Sequence, residues 1–234
     1  MKKKNILLVG LALAIGVGVF TGFDNNYYQE ENDNMRAEIV SIKENSDEVT
    51  REFIEKLENK ERRDEAEFWH TYSEDGSIDY TQLTAFDQAN DIFIDGQIAD
   101  DGVNIFLSKG DDRTWVDTRK NIYHADKRSD HNIPNIITTN DLSFGEESII
   151  RALENGRFVE KTDFGYKVTI SDDLNYGYDL YDNNANLYET YLENSEGHIT
   201  SKLVDINQDV VELYNKYIGL TESLTYTDDI ADVK

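Results

Sequence analysis

The chain has no cysteine in its 234 residues. Disulfides, thiolate metal sites, cysteine nucleophiles and lipid attachment at a cysteine are therefore excluded. Histidine is nearly as scarce: His70, His124, His131 and His198 lie far apart, with no pair at ligand spacing. That spacing argues against a zinc site or a Ser-His-Asp arrangement. No glycine-rich phosphate loop, HExxH or GxSxG occurs. Basic residues are few, 23 against 48 acidic, for a net charge of −25. Such a surface repels phosphate backbones and anionic head groups, so no nucleic-acid partner is expected. It favours cationic peptides, basic proteins and divalent cations. The one proline, Pro134, sits in a polar stretch over residues 126–141 that reads as a loop.

The hydrophobic share is only 38%, below the usual globular value, but 14 Tyr and 10 Phe supply bulky core material. The composition describes a folded domain with polar ends. At the start, Lys2, Lys3 and Lys4 precede an uncharged run over residues 6–23, and acidic sequence follows at once. This is the layout of a bacterial export signal. Its ending, Phe20-Thr21-Gly22-Phe23-Asp24, resembles a lipobox with phenylalanine in the cysteine position. The run is long for a cleaved signal and close to the shortest membrane span. The lysines belong on the cytoplasmic side and the rest outside. Either a signal-anchor is retained, giving an outward-facing domain on the cell membrane, or inefficient cleavage secretes the protein.

The organisation expected is an export signal or signal-anchor over 1–23, a polar tether and short helical stalk over 24–45, an α+β sheet domain over 46–220 and an acidic tail over 221–234. Residues 24–34 have no apolar period and read as a tether. Met35, Ile39 and Ile42, then Val49, Phe53, Ile54 and Leu57, keep helical spacing. Ser46, followed by Asp47 and Glu48, is the expected N-cap of a helix over 47–60. After Asp64, short aromatic and β-branched segments alternate with turn clusters such as Asp100-Asp101-Gly102, which indicates an antiparallel meander. Ser143-Phe144-Gly145-Glu146 matches a capping box at the head of a second helix, with Ile149, Ile150 and Leu153 as its apolar face. A second meander runs over residues 158–204. Val210, Leu213, Tyr214, Tyr217 and Ile218 return to helical spacing.

Two constellations invite a functional reading. Asp182-Asn183-Asn184-Ala185-Asn186, with Glu193 at the twelfth position, satisfies part of a calcium loop. Leu187 occupies the position that needs glycine, so a hairpin turn is the stronger reading. Tyr176, Tyr178, Tyr181, Tyr188 and Tyr191 on neighbouring strands form either a platform for carbohydrate or peptide, or cross-strand core packing. Abundant carboxylates always allow some glycosidase-like pair, so acid density alone indicates no enzyme.

The order of elements resembles the LolA/LppX-like superfamily. It is carried by the lipobox-like leader, the first helix over 47–60, the meander with its Gly110-x-x-x-x-Trp115 turn, the capped helix over 143–155 and the second meander. The resemblance spans roughly residues 47–220. It implies a curved, incompletely closed antiparallel sheet whose helices cover an apolar cavity. Members carry lipids or lipoproteins, or serve as extracytoplasmic sensors. Phe23 in place of cysteine, and the extra helical segment over residues 35–42, depart from the pattern.

The fold class expected is α+β: a curved antiparallel sheet, an incomplete barrel of two meanders, covered by two or three helices. The function expected is a non-enzymatic, extracytoplasmic binding protein for a lipid or other hydrophobic small molecule. Its candidate ligand-binding residues are Ile94, Phe106, Trp115, Ile149 and Tyr166, large apolar side chains on predicted strands and the capped helix. The alternative is an acidic cell-surface protein that binds a cationic protein or peptide. No catalytic residue, metal ligand or cofactor is implied. If the leader is retained, the protein will fractionate with membranes and stay there in high salt, because its apolar run inserts hydrophobically. An intact mass placing the N-terminus of protein in the medium at Phe23 or Asp24 would rule out the anchor.

Overall fold

A computed structural model describes residues 25–61, 63–127, 143–153, 158–171, 176–195 and 197–229. The leader, Phe23, Pro134, His131 and the end of the capped helix lie outside the described residues. The alternating segments form one open sheet of twelve strands. A first meander comprises β1 (Glu65–Tyr72), β2 (Ile78–Asp87), β3 (Ile92–Ala99), β4 (Gly102–Lys109), β5 (Asp112–Asp117) and β6 (Ile122–Lys127). A second comprises β7 (Phe158–Thr162), β8 (Gly165–Ser171), β9 (Tyr176–Asp182), β10 (Leu187–Asn194) and β11 (Gly197–Asn207). The helices are α1 (Asn25–Asn45), α2 (Glu48–Glu58), α3 (Phe144–Leu153) and α4 (Val210–Ile218), and a two-residue β12 (Thr225–Tyr226) follows a 3-10 turn. The spatial order is β12-β6-β5-β4-β3-β2-β1-β11-β10-β9-β8-β7. All neighbours are antiparallel except β12, which runs parallel to β6. The protein is an α+β fold with an open sheet of two meanders, joined where β1 pairs with β11.

Strand alternation assigns each side chain to one of two faces. On one face, the register row Ala66, Ala85, Ile94, Leu107 crosses β1 to β4. With Leu83, Ile92, Ile105 and Val116 it meets Val210, Leu213, Tyr214 and Tyr217 of α4. On the other face, the row Thr71, Ser201, Thr190, Asp179, Val168, Val159 crosses β1 to β7. There Val159, Tyr166, Val168 and Tyr181 pack under Phe53, Ile54 and Leu57 of α2, Ile149, Ala152 and Leu153 of α3, and Ile39 of α1. Helices therefore cover opposite faces of the two meanders. Each meander has one face buried by helix and one that no core cluster includes.

Local chemistry sets the helix ends. Ser143 and Glu146 form the capping box: the Ser143 amide donates to Glu146 Oε2 at 2.6 Å, and the Glu146 amide donates to Ser143 Oγ at 3.2 Å. Between them, Gly145 lets α3 touch the end of α2; a Cβ there would stand 2.6 Å from the Glu58 carbonyl oxygen. Two expectations need correction. The N-cap of α2 is Asp47, whose Oδ1 accepts from the Thr50 amide at 2.8 Å; Ser46 instead donates to the Ile42 carbonyl. Polar residues from Asn25 onward extend α1, where a non-helical tether was expected. After α4, the Thr225 amide donates to the Asn121 carbonyl and the Thr227 amide to the Tyr123 carbonyl, which ties residues 225–227 to the sheet.

Phe53 sits between Tyr166 and Tyr181, with ring centroids 5.1 and 5.0 Å away, whereas Leu213 belongs to the other core. Phe53→Ala should cost ~3–5 kcal/mol and Leu213→Ala ~2–5 kcal/mol. Because the two sites share no neighbours, the double mutant's loss should equal the sum within about 0.5 kcal/mol in urea unfolding. A clear excess or shortfall would mean the cores are coupled.

Candidate functional site

The face of the second meander opposite α1, α2 and α3 carries a continuous polar-aromatic surface. One register row places Tyr72, Thr200, Tyr191, Tyr178, Thr169 and Phe158 side by side across six strands. A parallel row beside it holds His70, Lys202, Glu189, Leu180, Lys167 and Glu160. On the other side, His198 lies opposite Glu193, and Glu193 opposite Tyr176.

The rings form a stack. Tyr178 and Tyr191 are nearly parallel, at 14° with centroids 5.1 Å apart, and Tyr191 and His198 follow at 29° and 5.7 Å. Tyr176 meets Tyr191 edge-on at 6.5 Å. Lys167 Nζ lies 4.9 Å from the centroid of Tyr178 and caps that end. At the other end the small side chain of Thr200 leaves a gap before Tyr72, whose ring meets His70 at 6.2 Å. The gap is an open depression of ≈ 500 Å³, lined chiefly by Tyr72, Tyr178, Tyr191, His198 and Thr200.

Carboxylates are fixed around it. The Tyr191 hydroxyl donates to Glu193 Oε2 at 2.9 Å, and the Tyr178 hydroxyl to Glu189 Oε1 at 3.4 Å. Lys202 Nζ pairs with Glu189 Oε2 at 2.9 Å. Glu74 comes from the β1–β2 turn, where Gly76 takes φ +80° and Asp75 Oδ1 accepts from the Ser77 amide at 2.9 Å. Its carboxylate lies over Gly197, where any Cβ would collide with it. The hydrogen bond to Glu193 pushes the Tyr191 hydroxyl above its ordinary pKa. For Tyr178, burial is the larger cause of the upward shift and the Glu189 charge the next. The bond to Glu189 raises Lys202. The arrangement offers aromatic walls, ordered acceptors and a concave floor, and it suits recognition.

The five candidate ligand-binding residues are not gathered into one site. Ile94 is fully buried under α4. Ile149 and Tyr166 are fully buried together in the other core, where the Tyr166 hydroxyl donates to Glu52 at 2.8 Å. Phe106 and Trp115 are neighbours, 4.8 Å apart between centroids, on the face of the first meander away from α4. Phe93 lies 6.1 Å from Phe106 and His124 lies 5.7 Å from Trp115, continuing a second aromatic row that belongs to neither core cluster. Strand parity separates these residues, and apolarity alone does not report it.

The tyrosine set divides in the same way. Tyr176, Tyr178 and Tyr191 stand on the open face, and Tyr181 is buried beneath α2. Tyr188 falls where the β9–β10 register shifts, between Leu187 and Glu189. Sequence reasoning missed Tyr72, His198, Thr200, Glu74 and Lys202; the period-two spacing of Tyr176 with Tyr178 was the one local signal of this face. At Asp182 the hairpin reading holds. Asp182 Oδ1 accepts from the Asn184 and Asn186 amides at 2.8 Å each, and Ala185 takes φ +58°. Beside α2, Lys161 and then Tyr166 hydrogen-bond to Glu52 and hold its carboxyl at about 2, an arrangement that fastens α2 to β7 and β8.

No family model and no curated protein matches the chain. Among solved structures, the crystal structure of an uncharacterized conserved protein from Thermus thermophilus is similar over 76% of this chain and 97% of that one, at 8% identity and a TM-score of 0.42. A likeness that low carries neither activity nor site to this chain. Among the described residues, no helix is long and apolar enough to cross a membrane.

The Tyr191–Glu193 bond gives a direct check. Glu193→Gln removes the charge that opposes formation of the phenolate, so Tyr191 should ionise at lower pH than in the parent protein. A nuclear magnetic resonance titration of the Tyr191 ring measures this; an unchanged or higher midpoint would show that the carboxylate does not govern it.

Proposed function

We propose that the protein is a non-enzymatic, outward-facing binding protein that engages a cationic protein or peptide through the open tyrosine face of its second meander. One observation carries this reading. α1, α2 and α3 bury one face of β7–β9 and leave the opposite face with stacked Tyr178, Tyr191 and His198, on a chain of net charge −25. Single exposed aromatics are ordinary on protein surfaces, but a contiguous row is the composition of a contact surface, in which tyrosine is enriched. Net negative charge steers cationic partners towards it. Export through the N-terminal leader would place the surface where extracellular polypeptides are met.

A second reading keeps the hydrophobic ligand. The row of Phe93, Phe106 and Trp115 on the first meander supports it, because these rings adjoin without belonging to either core. In that reading the resemblance to lipid carriers extends to function.

One purified sample separates the two. A peptide of mixed lysine and arginine should bind at low salt and weaken steadily as salt rises. Tyr178→Ser combined with Tyr191→Ser should weaken it by about tenfold or more, with the melting temperature little changed. Absence of low-salt binding, or indifference to the double substitution, would sink the cationic-partner reading. A lipid retained in the native mass spectrum would favour the second.

A further inference from the structure

We propose that the depression over Thr200 is an arginine receptor: it holds the guanidinium group of the cationic partner between Tyr72 and the Tyr191–His198 stack. The inference rests on the cationic-partner reading and names the group that the surface selects. Tyr72 and Tyr191 are the two register neighbours of Thr200, one on β1 and the other on β10. Strands two apart stand roughly 9–10 Å from each other, and two van der Waals layers take about 7–8 Å, so one planar group fits between such side chains. Threonine supplies a short floor with a hydroxyl. A larger side chain at position 200 would fill the space.

Charge places the guest within the depression. At one end the Lys202 ammonium already pairs with Glu189 at 2.9 Å, so that carboxylate is compensated. On the His198 side, Glu74 lines the depression with its carboxylate near Gly197, and Glu193 accepts from the hydroxyl of the Tyr191 wall. Among the described residues, Lys202 is the one lysine and no arginine lines the depression. A cation entering from solvent is therefore drawn towards Glu74 and Glu193 and away from Lys202.

Planarity favours guanidinium over ammonium. A guanidinium stacks flat on aromatic rings, sheds water more readily than an ammonium and still presents N–H groups at its edge. Here the ring faces would take its plane while the carboxylates accept from its edge. A lysine ammonium would meet the same charges but leave the aromatic walls unused.

The test compares a peptide alternating arginine and glycine with its lysine counterpart of equal length, by calorimetry on the full chain. The arginine peptide should bind about fivefold or more tightly, as one good cation–π contact warrants. Thr200→Trp, which fills the depression at a half-buried strand position, should abolish that preference while leaving weak, salt-dependent binding of both peptides. Tyr72→Leu, which removes one wall, should do the same and decides the matter if the tryptophan variant does not fold. Equal affinity of the two peptides for the parent protein would overturn the receptor and leave the cationic-partner reading standing. An arginine preference that survives in the folded variants would also overturn it. Failure of both peptides to bind would overturn both.

Discussion

The pairing of β1 with β11 is the contact on which the rest of the structure depends. It joins strands whose hydroxyls at Thr71 and Ser201 lie 3.1 Å apart although 130 residues separate them in the chain. Each meander alone could form from local hairpins, because its strands follow one another in space as they do in sequence. The central pairing closes the longest loop and carries the largest entropic cost of ordering. It also fixes the relative faces of the two halves. A β-bulge at Phe68/Trp69 leaves Val204 of β11 unpaired with β1 and shifts the register, so that Trp69 lies opposite Leu203.

With that register fixed, helix placement follows from which apolar face each half exposes. The first meander directs Leu83, Ile94, Ile105 and Leu107 to one side, and α4, arriving directly after β11, packs there. The second directs Val159, Tyr166 and Val168 to the other side, where α2 and α3 meet them. One continuous sheet is thus covered on alternate faces. An incomplete barrel with all helices on one side of a common cavity would have brought Ile94, Ile149 and Tyr166 together. In this topology they are separated by the sheet itself.

The open face of the second meander is chemically unlike the buried one. Its tyrosine hydroxyls donate to Glu189 and Glu193, and its two lysines are engaged by Tyr178 and Glu189, so the polar groups are ordered before any partner arrives. Preorganised aromatic side chains lose little conformational entropy on binding. The excess of acid over base across the chain adds long-range attraction for a cation, and local geometry supplies the selection.

Much of the local architecture was legible in the sequence because its causes are short-range. Period-two alternation located the strands, Ser143 and Glu146 marked the head of α3, and the Asp-Asn run at 182–186 gave a hairpin turn whose amides are satisfied by Asp182 itself. Helical extension through residues 25–35 was not legible, since most of those residues are polar and carry no apolar period. The identity of the core aromatics was only half legible. Tyr178 and Tyr181 differ by three positions in one strand, and that odd number alone puts them on opposite faces. Which of those faces is buried is settled by α2, whose Phe53 packs against Tyr181 from more than a hundred residues away. The depression is further still from sequence: Tyr72, Thr200 and Tyr191 become neighbours only through the β1–β11 and β10–β11 registers. The sequence by itself determined the strands, the capped head of α3 and the alternation, because those depend on residues a few positions apart. Strand order, helix side and the assembly of the site were decided by tertiary structure, because they depend on long-range pairings that bury one face of each meander and leave the other to water.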